Sequence, residues 1–210
     1  MCNPCTRTNP STRKLYEDTR IPRMNRTGIT NQSAATALLI VDAQQGLLCG
    51  QSAVAQATAI VDRLAYLIDA ARAAGALVVY LQNDGAPGSA DEPGTPGWSI
   101  HPRLQPKSGE IVQRKGTDDG FVDTPLEAIL REHGAQRVAV AGLLSEMCVS
   151  ATVRGALARR LQVVLVSDAH ATYPVDDIPA AVVSRVAEHA LGDEVELRET
   201  ADVVFERVGK

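Results

Sequence analysis

The chain has 210 residues, 45% of them hydrophobic, and a formal net charge of −4. That length supports one domain with a single sizeable core, and the mild acidity gives neither nucleic acid nor an anionic membrane an electrostatic reason to bind. Apolar runs fall short of the roughly 20 residues a spanning helix needs, and residues 1–33 lack the apolar stretch of a secretory signal, so a soluble cytoplasmic protein is expected.

Residues 1–33 carry six basic side chains (Arg7, Arg13, Lys14, Arg20, Arg23, Arg26) against Glu17 and Asp18, which leaves 15 basic and 23 acidic residues for the rest. Rich in Pro, Asn, Thr and Ser and without apolar periodicity, this segment reads as a flexible basic N-terminal extension, with Met24 an alternative start. Cys2 and Cys5 form a lone C-x-x-C without the second ligand pair of a zinc site or the strand and helix of a redox motif. The domain proper is expected over 34–210.

It opens with Ala-Leu-Leu-Ile-Val at 37–41, a continuous apolar run typical of a strand buried on both faces. Val54, Ala57, Val61, Leu64, Ile68 and Ala71 then mark one face of an amphipathic helix that Gly75 ends. A second buried strand follows at 76–81 and a weaker one at 111–113. Thr124-Pro125-Leu126-Glu127 predicts a helix start, with a Thr cap, Pro at the first position and Glu at the third. Gly134 closes that helix before a strand at 137–141. A helix over 145–161, a strand at 163–166 and a helix over 178–191 come next, and Val195–Leu197 and Val203–Phe205 supply a last strand and an edge segment. This alternation predicts a single Rossmann-like α/β domain: about six mostly parallel strands with helices on both faces.

One connection is too long for a plain turn. Residues 83–110 hold five glycines, five prolines and the only tryptophan, Trp98. Structureless connections beyond about 12–15 residues are often lids or binding loops. Trp98 and Ile100 either pin this one to the body or line a site; a binding loop requires pinning as well.

In open parallel sheets, ligands bind beyond the carboxyl ends of the strands. The polar residues there are Asp42 and Gln44, then Gln82, Asn83 and Asp84, then Arg114 and Lys115, and lastly Ser145 leading to Cys148. With Ser145 as a helix cap, Cys148 takes the third helical position, where free N–H groups, the dipole and a nearby Lys115 favour thiolate. The bland alternatives are a small buried hydrophobe for Cys148, a loop-binding carboxylate for Asp42 and a solvated cation for Lys115. It is the combination of nucleophile, base and cation at one sheet edge that forms a working constellation. The loop at 42–46 lacks both a dinucleotide and a phosphate-loop signature, and the four histidines are scattered.

Three segments resemble the isochorismatase-like cysteine hydrolases, which include nicotinamidases and N-carbamoyl amidases. They are Ala37–Gln44; Val112–Lys115 with Phe121 and Thr124-Pro125-Leu126; and Ala141–Val149 with Thr152 and Ala156. Asp168-Ala169 also fits. The resemblance implies that Cys148 attacks a carbonyl carbon, that Asp42 moves its proton to the leaving amine, and that Lys115 holds both in register before water cleaves the thioester. It further implies a cis peptide at Leu143–Leu144, an oxyanion hole from the N–H groups of Leu144 and Cys148, and self-association into a homo-oligomer. Gln44, Trp98 and Ser145 are the candidate substrate-binding residues. Gln82-Asn83-Asp84-Gly85 stands where nicotinamidases carry metal-binding histidines, so the resemblance is to a metal-free branch, with neither metal nor other cofactor expected. The Pro-Gly-Trp-x-x-His-Pro loop is similar to that of streptothricin-lactam hydrolases. The expected activity is hydrolysis of a small amide, ureido compound or lactam. The alternatives are isochorismate-type vinyl ether hydrolysis and a non-catalytic association or redox protein on the same fold.

Overall fold

The structure is a computed structural model that describes residues 33–207. The extension assigned to 1–33, with Cys2 and Cys5, lies outside the described residues apart from Ser33. In chain order the strands are β1 (Ala37–Val41), β2 (Leu77–Asn83), β3 (Ile111–Lys115), β4 (Arg137–Leu143), β5 (Gln162–Ala171) and β6 (Val195–Arg198). The helices are α1 (Gln45–Leu48), α2 (Ala57–Ala74), α3 (Leu126–Glu132), α4 (Ser150–Ala158) and α5 (Ala180–Ala190). Among the described residues, no helix is long and apolar enough to cross a membrane.

The strands form one sheet in the order β3-β2-β1-β4-β5-β6, with every adjacent pair parallel. The order reverses direction between β1 and β4, and such a switch point leaves a crevice beyond the strand ends. β1 is buried at all five positions because helices cover both faces. Leu38 and Ile40 join the cluster packed under α2, while Ala37, Leu39 and Val41 join the one under α3 and α4. Leu64, Leu67 and Ile68 of α2 are fully buried. Each such side chain contributes about 1.5–3 kcal/mol of apolar burial.

Boundaries moved where local capping competed with packing. α2 begins at Ala57 rather than 54, because the Val54 N–H is already donated to Leu47 O at 2.9 Å. Its end is as expected: Gly75 sits at φ 73°, and its N–H reaches the carbonyls of Ala71 and Arg72. α3 starts one residue late, with the Leu126 N–H reaching Thr124 Oγ1 at 3.3 Å. β3 runs on to Lys115, and β5 continues past Asp168 to Ala171 after its register with β4 shifts between Val140 and Gly142. Asp168 is thereby placed inside a strand, paired with Arg63 at 3.1 Å. Val203–Phe205 contributes only an isolated bridge, from Phe205 to Ala35.

Gly142 shows how tightly β1 and β4 approach beneath the crevice. Its φ is 132°, and a Cβ there would lie 2.0 Å from Val41 O. Backbone cannot yield as a flexible side chain would. Gly142→Ala is therefore expected to cost about 3 kcal/mol or more in urea unfolding, or to prevent soluble expression. A variant of wild-type stability would contradict this packing.

Candidate active site

Four strand ends meet at the crevice. Asp42 leaves β1 at φ 47°, a left-handed conformation that Asp tolerates better than most residues, and its N–H stays bound to Leu81 O at 2.9 Å. Lys115 is the last residue of β3, paired in register with Asn83 at the end of β2. Cys148 lies in the turn that follows β4.

Lys115 joins them. Its Nζ lies 2.9 Å from Asp42 Oδ2, and it donates to Asn83 Oδ1 at 3.2 Å, Thr117 O at 3.2 Å and Cys148 Sγ at 3.3 Å. Asp42 and Lys115 are each 2% exposed and Cys148 8%. An ion pair this dry requires such a full set of partners, because desolvating each charge costs several kcal/mol. Burial raises the Asp42 pKa to about 6 against the opposing pull of Lys115. For Lys115 burial acts downward, but Asp42 and then Cys148 outweigh it, and its pKa is raised. At neutral pH both therefore carry charge.

The Cys148 thiol differs from the thiolate that helix position implied. Burial first, and Asp42 next, push it well above the usual thiol range, with Lys115 pulling the other way. The helix-start position that would favour thiolate is not formed either. Ser145–Val149 forms a wide π-type turn, with the Val149 N–H on Leu144 O at 3.1 Å and Met147 off-helix at φ −104°, ψ −105°. Regular helix begins only at Ser150. Ser145 makes no capping hydrogen bond; its Oγ pairs instead with His170 Nδ1 at 2.8 Å and Ser184 Oγ at 2.9 Å. The Leu143–Leu144 peptide ahead of this turn is cis.

The three candidate substrate-binding residues are used largely on the protein itself. Gln44 is fully buried; its Nε2 donates to Asn83 O and Trp98 O, each at 3.0 Å, and its Oε1 accepts from the Asn83 N–H at 2.8 Å. Ser145, 2% exposed, holds β5 and α5. Trp98 is half-buried, with Nε1 donating to Asp84 Oδ1 at 2.9 Å and the Arg114 guanidinium 5.1 Å above its ring. The loop over 83–110 is thus pinned, as Ile100 at 7% exposure also indicates. Gln44 and Ser145 thus direct their hydrogen-bonding groups to neighbouring elements of the protein.

Two residues near the thiol are given no role by the sequence: Asn83 stands there only as a polar strand-end residue, and Asp118 is not among the candidates. Asn83 bridges Lys115 to the long loop through Nδ2, which donates to Asp91 Oδ2 at 2.6 Å. Asp118 accepts from Cys148 Sγ at 3.3 Å. The available signal was placement: Asn83 ends a strand, and Asp118 lies three residues beyond Lys115. Among the described residues, no group of three or more His, Cys, Asp or Glu side chains is placed to hold a metal ion.

The switch-point crevice of this parallel α/β domain thus holds a thiol, an ammonium and a carboxylate in contact. The isochorismatase domain matches residues 36–204, and the chain belongs to that family. It is 53% identical over 168 residues to a streptothricin hydrolase from Streptomyces noursei, covering 77% of this chain but only 61% of that protein. Ureidoacrylate amidohydrolase RutB from Methylorubrum extorquens is 30% identical over 172 residues, or 64% of this chain and 69% of the relative. An isochorismatase structure from Pseudomonas putida KT2440 superposes with a TM-score of 0.76 at 32% identity, over 80% of this chain and 90% of that one.

The ion pair sets a stability test. Lys115→Met leaves Asp42 buried without its counter-charge, which at pH 8 is expected to cost about 3–5 kcal/mol. Losing the ammonium raises the Asp42 pKa beyond its present value near 6, so at pH 5 the carboxyl is neutral and the cost shrinks. Urea unfolding at both pH values reads the difference; equal losses would mean that Asp42 does not depend on Lys115.

Proposed function

We propose that this chain is a cysteine-dependent hydrolase of a C–N bond in a small carboxamide, ureido compound or lactam. The observation that carries the reading is the single ammonium, Lys115 Nζ, in contact with both Asp42 Oδ2 and Cys148 Sγ. The names of the relatives, a streptothricin hydrolase and a ureidoacrylate amidohydrolase, support C–N chemistry.

In this reading Asp42 takes the thiol proton as Cys148 Sγ forms a bond to the carbonyl carbon. The resulting oxyanion is met by the N–H groups of Leu144 and Cys148. Collapse breaks the C–N bond while Asp42 returns the proton to the departing nitrogen, leaving a thioester. Water then adds with Asp42 as base, and C–S cleavage restores the thiol. Lys115 offsets the charge that forms on sulfur and holds the carboxylate beside it. A thiol kept protonated by burial suits this route, because the proton leaves only when a base accepts it during attack.

A panel of streptothricin, ureidoacrylate, an N-carbamoyl amino acid, nicotinamide and isochorismate tests the assignment. Cys148→Ala is expected to lower turnover of any amide or lactam substrate by about 10⁴-fold or more while circular dichroism is unchanged. Activity on isochorismate alone that survives this substitution would sink the amidase reading in favour of vinyl ether hydrolysis. For the wild type, kcat/KM is expected to fall below an apparent pKa of about 6, as Asp42 takes a proton and ceases to be a base. An acid limb near the ordinary Asp value would remove Asp42 from that role.

A further inference from the structure

The thiol has a second carboxylate beside it. Asp118 Oδ1 accepts from Cys148 Sγ at 3.3 Å, the same separation as Lys115 Nζ from that sulfur. The two carboxylates differ in placement. Asp42 is nearly inaccessible and tied to Lys115, whereas Asp118 is exposed at the mouth of the crevice. The Asp118 backbone is also anchored, since its carbonyl accepts from Thr152 Oγ1 at 3.4 Å. At the same time Asp42 Oδ1 is buried and has no hydrogen-bond partner among the described residues. The thiol thus has an exposed partner in Asp118 Oδ1 and a buried one in Asp42, which also hydrogen-bonds with it.

We infer that Asp118 is a positioning residue for the nucleophile: its exposed carboxylate competes with Asp42 for the Cys148 S–H and holds the thiol protonated until substrate enters. The inference rests on the nucleophile reading above. Activation is then a change of acceptor. As Asp118 gives way, Asp42 is left as the acceptor: the S–H bond breaks as the Asp42 O–H bond forms, and the sulfur electron pair goes to the carbonyl carbon. Lys115 remains beside the sulfur throughout. An exposed carboxylate at the mouth is displaced by an entering molecule more readily than a buried one.

The charged and titratable groups around the thiol come from several elements. Asp42 ends β1, Lys115 ends β3, and Asp118 lies in the loop after it. From the long loop, Asp91 acts on Asp42. Within the turn itself, Glu146 is engaged by Thr172 Oγ1 at 2.8 Å, and His170 of β5 by Ser145. Asp118 is the exposed one of the two carboxylates that raise the thiol, so its charge can be removed with little risk to the fold.

The test uses alkylation of Cys148 in the full-length protein, followed by peptide mass spectrometry from about pH 6 to 10, a range around the free-thiol value near 8.5. Neutral iodoacetamide and anionic iodoacetate are the two probes. Asp118→Asn is expected to move the iodoacetamide profile to lower pH and to raise the rate at pH 8 by about threefold or more, discounted for exposure. The iodoacetate-to-iodoacetamide rate ratio rises as well, and Asp118→Glu restores both toward wild type. An unchanged profile and ratio in Asp118→Asn overturns the inference, as does a shift to higher pH. Amide turnover that persists in Cys148→Ala defeats the nucleophile reading instead, and leaves the alkylation comparison as it was.

Discussion

A buried ammonium and a buried carboxylate 2.9 Å apart hold together the carboxyl edge of this sheet. Neither tolerates a dry environment alone, because losing water costs each ion several kcal/mol. Their pairing, with Asn83, Thr117 and Cys148 completing the shell around Lys115 Nζ, makes that placement sustainable. The arrangement in turn demands that β1, β2 and β3 end at matched heights. The register supplies this, with Val41 opposite Leu81 and Asn83 opposite Lys115.

The nucleophile turn is supported from the opposite side. β4 presses against β1 at Gly142, and the chain then crosses the cis Leu143–Leu144 peptide into a π-type turn. Beneath it, Ser145 joins His170 of β5 to Ser184 of α5, and the Ser150 hydroxyl donates to Ser145 O at 2.8 Å. His170 Nε2 comes within 3.2 Å of Glu188 Oε1, although the ring N–H is not aimed at that oxygen. This scaffold leaves the thiol facing three charged side chains, Asp42, Lys115 and Asp118. Its protonation therefore depends on their balance more than on the short helix behind it.

The same physics explains the long loop. A 28-residue connection without regular strands stays put only when its backbone and side chains find partners. Here Gln44 and Gln82 bind Trp98 O, and Asp84 receives both the Trp98 indole and the Arg114 guanidinium. Asn83 then ties this loop to Lys115, so the crevice wall and the ion pair are mechanically one unit.

Much of this was legible in the chain itself. Continuous apolar runs at β1, β2 and β4, three- and four-residue spacing along α2, and Gly75 at its end express local rules that neighbours rarely override. Because parallel strands expose their carboxyl ends at one edge, those runs also indicated that Asp42, Lys115 and Cys148 would converge. Which side chains were free to act was not legible. Gln44 and Ser145 are polar residues at that edge, yet contacts 25 to 54 positions away consume them. Asp118 reaches the sulfur across 30 positions, and burial and three charges brought together from separate parts of the chain act on the thiol's protonation. Hydrogen bonding and desolvation are set by distance in space, and only the folded chain determines those distances.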